Sequence, residues 1–185
     1  MKKLLAALLA IAMLLALAAC GGEEKPQDLT SASSEKVAES ATKYDTTVFS
    51  VDVPSGWKTF AVKDMFSSDN ETDATKLQIG KGAENEIDLF THPYMYIYYY
   101  DKDSYFMEPS SDFYDEPADI EPMELGGRTW KGFTAKSLDY PIATLWTGEE
   151  GGEHFQISIW LEMSEGKIAL TDADVQAIIS SITVD

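Results

Sequence analysis

The sequence predicts an α+β domain, an antiparallel β-sheet with a helix packed on it at the C-terminal end. Three observations carry this. From about Lys43 onward, short alternating apolar runs are separated by glycine and proline turns. Tyr94 to Tyr100, reading Tyr-Met-Tyr-Ile-Tyr-Tyr-Tyr, has high strand propensity throughout. Val175, Ile178, Ile179 and Ile182 stand at i, i+3, i+4 and i+7, the apolar stripe of one helix. The stretch 43–185 has the length of one domain and can bury a proper core.

The elements follow in order. Phe49, Val51 and Val53 alternate with Val48, Ser50 and Asp52 in a strand that Pro54-Ser55-Gly56 ends in a turn, and Trp57 to Val62 returns as a second strand. Lys63 to Thr75 is polar and rich in Ser, Asp and Asn, a loop with room for a helical turn. Leu77 to Gly80 is a short strand, and Tyr94 to Tyr100 is the strongest one, closed by the turn Asp101-Lys102-Asp103-Ser104. Between Tyr105 and Glu121 the pattern decays, with Pro109 and Pro117 framing Phe113 and Tyr114; a short helix and an ordered loop both fit. Glu121–Leu125 then pairs with Arg128–Ser137 across Gly126-Gly127, followed by Ile142–Thr147 and, after a glycine-rich turn, His154–Met163. In the last strand Phe155, Ile157, Ile159 and Leu161 share one face, while His154, Gln156, Ser158, Trp160 and Glu162 share the other. Thr171 or Asp172 caps the closing helix, and Asp174 in its first turn complements the helix dipole.

The N-terminal region has a different texture. Lys2 and Lys3 precede an unbroken apolar stretch from Leu4 to Ala19, then comes Cys20, the only cysteine. A basic start, an apolar middle and small residues at the end describe an export signal. The run falls short of the roughly 20 apolar residues that span a bilayer. Leu17-Ala18-Ala19-Cys20 closely resembles the lipobox of bacterial lipoproteins. The resemblance implies a diacylglyceryl group on the Cys20 sulfur, cleavage after Ala19, and a new amino terminus open to acylation. An ordinary secretory signal with an incidental cysteine is the competing reading. Residues 21–42 hold almost nothing large and apolar, so they read as a flexible tether reaching roughly 25 Å as a random coil. The expected organisation is a signal peptide over 1–19, a lipidated cysteine and tether over 20–42, and a single domain over 43–185.

Charge narrows the function classes. The chain carries a formal charge of −18, and removing residues 1–19 takes away two lysines and no acid. Such a chain repels phosphate backbones, which argues against nucleic-acid binding. It also repels anionic headgroups, so acyl chains on Cys20 would have to hold it to the membrane, and two chains suffice where one is marginal. With Cys20 lipidated no thiol remains, which excludes a disulfide framework and cysteine metal sites.

Three segments suggest a fold family. Phe49-Ser50-Val51-Asp52-Val53-Pro54-Ser55-Gly56-Trp57 resembles the opening of Mog1/PsbP-like domains, where a strand runs into Pro-x-Gly-Trp. Gly126-Gly127-Arg128-Thr129-Trp130-Lys131-Gly132-Phe133 is similar to the hairpin before that family's long central strands, and Val175 to Ser181 to its closing helix. The resemblance implies an antiparallel sheet covered by helices, an α/β/α sandwich often presented on bacterial lipoproteins. The sequence departs from it between Leu89 and Asp119, where two prolines and a tyrosine cluster stand in place of a middle helix. The family's members have unrelated partners, so the fold brings no function with it.

No catalytic, metal or cofactor site can be written from the motifs. His92 and His154 have no second histidine four residues away and read as surface residues. There is no Gly-x-Ser-x-Gly elbow and no phosphate-binding glycine loop. Asp69-Asn70-Glu71-Thr72-Asp73 lacks EF-hand spacing, and Asp112, Asp115, Glu116, Asp119 and Glu121 read as solvated loop acids. The tyrosines are the better lead. Tyr94, Tyr96, Tyr98 and Tyr100 point to one face of their strand, and Met95, Ile97 and Tyr99 to the other. With Phe113 and Tyr114, these four are the candidate binding residues, since tyrosine joins large apolar area to a polar tip. The competing reading packs the rings beneath a helix or loop. The expectation is a non-catalytic binding or accessory lipoprotein on the extracytoplasmic face of the cell membrane, or on an outer membrane. Its partner would be an extracytoplasmic protein, peptide or glycan. The alternative is an extracytoplasmic hydrolase acting on glycan or peptide through paired carboxylates.

Overall fold

The computed structural model describes residues 41–148 and 152–185. The signal peptide and Cys20 of the sequence reading lie outside the described residues. So does the tether, apart from its last two positions. The first strand, β1, is Thr42–Asp45, so Thr42 belongs to the folded part. There follow β2 (Phe49–Val53), β3 (Trp57–Lys63), β4 (Thr72–Lys81), β5 (Tyr94–Tyr100), β6 (Asp115–Leu125), β7 (Arg128–Ser137), β8 (Tyr140–Thr147) and β9 (His154–Trp160). The chain ends with β10 (Glu162–Met163), β11 (Gly166–Lys167), helix α1 (Ala173–Ser181) and β12 (Thr183–Val184).

Seven strands form the main sheet in the order β3-β4-β5-β9-β8-β7-β6, every neighbouring pair antiparallel. A small sheet, β1-β2-β12, and the helix lie on one of its faces. Period-2 alternation builds this core: Leu77 and Ile79 from β4, Met95 and Ile97 from β5, Leu145 from β8, and Phe155, Ile157 and Ile159 from β9 are almost wholly buried. Phe49 and Val51 of β2 meet them from above, with Val175, Ile178 and Ile179 of α1. Burying a side chain of this size contributes about 1.5–3 kcal/mol, which gives this face the bulk of the stability.

Polar contacts fix the cover in place. Asp174 Oδ2 accepts from Trp57 Nε1 and from Lys81 Nζ, each at 2.8 Å, tying the first helical turn to β3 and β4. Ser181 Oγ at the far end accepts the Asp52 N–H at 2.9 Å. Gly126 turns the β6–β7 hairpin with φ +61°, and a Cβ there would collide with the Ser180 carbonyl oxygen. Asp172 stands at the N-cap position, as one of the two expected residues, but makes no side-chain cap bond; its carboxylate accepts the Ala169 N–H at 2.9 Å instead.

The expected α+β sandwich, with helices covering the sheet, is not what forms. The structure is mostly β, with one α-helix among the described residues, and the second face of the main sheet carries no helical layer there. Topology supplies the reason. The chain leaves β5 beside His154 and enters β6 beside Lys136, at the opposite end of the sheet and four strand spacings away. That diagonal is about 28 Å from a strand spacing near 4.8 Å and a strand length near 20 Å. The 14 residues Asp101–Tyr114 would span only about 21 Å as a helix at 1.5 Å per residue. A strap helical throughout falls short, so much of it must run extended, and it does, with one 3-10 turn near its end. Part of the segment left open between helix and loop is in fact strand: β6 begins at Asp115, six residues before the expected Glu121, after a 3-10 turn at Ser111–Phe113. β4 likewise starts at Thr72 rather than Leu77.

Candidate functional site

The strap crosses the face of the main sheet opposite the helix. Phe106 anchors it, stacking on His154 with ring centroids 4.3 Å apart and meeting Tyr100 edge-on at 5.1 Å. Beneath it Phe133, Ala135, Ile142 and Trp146 form a second apolar cluster. At the other side of the same face, the 3-10 turn Glu86–Phe90 lays Leu89 over Phe60 and Gly80. A Cβ on Gly80 would come within 2.6 Å of Leu89 Cδ2, so glycine is what lets the turn sit down on β4.

Between these two partial covers lies the tyrosine strand. Tyr94, Tyr96, Tyr98 and Tyr100 are half-buried while Met95, Ile97 and Tyr99 are buried, so the expected division of faces holds. The four rings are shielded mainly by neighbours. Tyr94 stacks on Trp160 of β9 at 4.4 Å, and Tyr96 stacks on Tyr98 at 4.2 Å. Tyr94 also packs against the Leu89 cluster. Small and polar residues flank the middle of the row: Tyr96 pairs with Gln78 and Ser158, and Ser158 with Thr144. Burial pushes the Tyr94 hydroxyl up to about 12, with neighbouring Tyr96 adding to it. Burial also raises Tyr96, Tyr98 and Tyr100. All four therefore stay protonated at physiological pH and present neutral O–H groups.

Phe113 and Tyr114, at the end of the strap, share a pocket with Tyr100. This pocket of about 580 Å³ opens where the strap lifts off the sheet, and its lining includes Tyr100, Tyr105, Phe113, Tyr114, Thr144 and Gln156. Tyr114 leans on Phe133 at 5.7 Å, and Phe113 and Tyr105 are 87% and 86% exposed, so neither ring is committed to the core. Three of the six candidate residues, Tyr100, Phe113 and Tyr114, thus line one pocket. Tyr94, Tyr96 and Tyr98 run down the same face beside it. Trp160, Gln156, Ser158 and Thr144 complete the surface; alternation in β8 and β9 places them there, but nothing in their identity marks them as site residues.

Other candidates fare differently. His154 is buried, not on the surface, held by the Phe106 ring and by a 3.1 Å contact from Nδ1 to the Thr147 carbonyl. Its position on the strap-covered face was legible only if the strap was known. Among the described residues no group of three or more His, Cys, Asp or Glu converges as a cation site. Asp73 and Asp174 are held below the usual carboxylate range: burial pushes each up, but Lys76 with Thr75, and Lys81 with Trp57, outweigh it. Asp88 and Asp101 are lowered by bonds from the Glu84 N–H and the Ser104 hydroxyl. A general acid needs the opposite shift. No helix among the described residues is long and apolar enough to cross a membrane. No family model and no curated protein matches the chain.

Proposed function

We propose that this chain is a lipid-anchored extracytoplasmic protein working as a non-catalytic binding or accessory module. The anchor part rests on the lipobox-like run ending at Cys20, with two acyl chains providing firm attachment to the membrane. The binding part rests on one observation: the sheet face opposite the helix is only half covered, and its open part is a row of aromatic rings continuous with a pocket. An antiparallel sheet can leave one face to water, but such a face is ordinarily polar; here it carries a row of aromatic rings, while the helix side is sealed by a second layer. Half-buried rings beside the exposed Tyr105 and Phe113, with polar side chains among them, suit an interaction surface.

Anchoring would hold the module beside membrane-bound or wall-bound partners. Tyr96→Ala and Tyr114→Ala, in the full mature chain, test the face. Each should cut retention of cell-envelope material severalfold while the far-ultraviolet spectrum and thermal midpoint stay close to those of the parent. If Tyr96→Ala unfolds the domain and Tyr114→Ala changes nothing, these rings belong to the fold alone and the reading is wrong.

A further inference from the structure

We infer that the pocket beneath the strap takes an uncharged oligosaccharide, a ligand class that rests on reading this face as a binding surface. The argument starts from charge. In a chain of net charge −18, one carboxylate, Glu108, is among the pocket's described lining residues, and Lys131 Nζ stands 3.6 Å from it. The rest of the lining is rings, Met107, Pro109 and neutral polar side chains. A basic peptide would find no free counter-charge inside, and an acidic glycan would have to approach against the field of the whole molecule.

The polar groups narrow the class further. Tyr100, Tyr105, Tyr114, Thr144, Ser110 and Gln156 all line the pocket, and each side chain both donates and accepts hydrogen bonds. Sugar hydroxyls also do both, one group at a time. A proline-rich peptide, the other ligand that aromatic grooves take, offers mainly acceptor carbonyls and leaves half of that capacity unused. The rings suit a pyranose as well, because its C–H face is apolar while its rim is polar, the same division that a tyrosine carries. The volume, about 580 Å³, lies within the range of about 300–1,000 Å³ for small-ligand sites, so the pocket would hold a short stretch of a chain rather than a polymer's length. The open tyrosine row running away from it gives the remainder of such a chain a surface to follow.

The test presents the full mature chain to an array of uncharged gluco-, manno-, galacto- and N-acetylglucosamine oligosaccharides, with uronic-acid and sulfated oligosaccharides and a proline-rich decapeptide beside them. Binding to at least one uncharged series and to none of the anionic ones is expected. Tyr105→Ala and Phe113→Ala, both highly exposed and so harmless to folding, should each weaken that binding tenfold or more. Phe66→Ala, in the β3–β4 loop and outside the pocket's described lining, should leave it unchanged. Binding of no uncharged glycan, or glycan binding that ignores Tyr105 and Phe113, overturns the inference. Retention of the decapeptide through the same two rings would overturn the ligand class and leave the binding face standing. Envelope retention insensitive to these rings, with no array binding, would remove both.

Discussion

Replacing Asp174 with alanine should cost about 2–3 kcal/mol at neutral pH, and the cost should shrink as the solution is made acidic. Its carboxylate accepts from Trp57 Nε1 and Lys81 Nζ at 2.8 Å. Trp57 is buried, so its N–H has no ready access to water once the acceptor is gone, and an unmade bond of that kind costs about 1–3 kcal/mol. The Lys81 side chain is 38% exposed and rehydrates, so its share is that of a surface pair, about 0–1 kcal/mol. Loss of a first-turn acid adds about 0.3–1 kcal/mol. The folded-state pKa lies below the ordinary 3.8: burial acts to raise it, and the bonds from Lys81 and Trp57 outweigh that. A lowered carboxylate pKa contributes stability that is fully present well above 3.8 and lost as pH falls through the folded value. Urea denaturation of parent and variant at pH 7 and at several values below 4 reads this directly. A difference under about 0.5 kcal/mol at pH 7, against the bond energies above, would refute the account of the helix latch. So would a difference that widens on acidification.

Two further outcomes are expected. Cys20→Ser should yield protein that carries no acyl label and is either released or left as uncleaved precursor; normal maturation with retention in the membrane fraction would show that the anchor lies elsewhere. Ile178→Asp places a charge at a fully buried position of α1, with a cost of several kcal/mol from desolvation; an unchanged thermal midpoint would mean that the helix is not docked.

Local patterns in the sequence were sufficient for much of the fold. β5 and β7 begin and end where Tyr94–Tyr100 and Arg128–Ser137 were expected, because alternation and glycine turns are local signals. The helix stripe is buried as its spacing required: Val175, Ile178 and Ile179 lie in the core with Ile182 just beyond the last turn. What failed was non-local. The start of β6, Asp115–Ile120, is an exposed edge with Pro117 and three acids, and it carries no apolar alternation to betray a strand. Whether Tyr105–Tyr114 coils or extends depends on where β5 ends and β6 begins, which only sheet order reveals. The same gap hid the pocket: Tyr100, Phe113 and Tyr114 could be named as candidates, but Thr144 and Gln156 are indistinguishable from any outward-facing strand residue until the strap is seen above them. His154 reads as a surface residue for that reason too, since it is the strap's Phe106 that stacks over its ring.

The central claim, that the half-covered aromatic face is where this protein meets its partner, is tested most directly by placing a photo-crosslinking side chain at position 113 or at position 66 and irradiating intact cells. Phe113 and Phe66 are 87% and 98% exposed, so access alone does not separate them. Phe113 lines the pocket, and Phe66 sits in the β3–β4 loop. Adducts formed from position 113, and suppressed there by Tyr114→Ala, with none from position 66, are what the account predicts. Equal adducts from both positions, or adducts from position 66 alone, would contradict it.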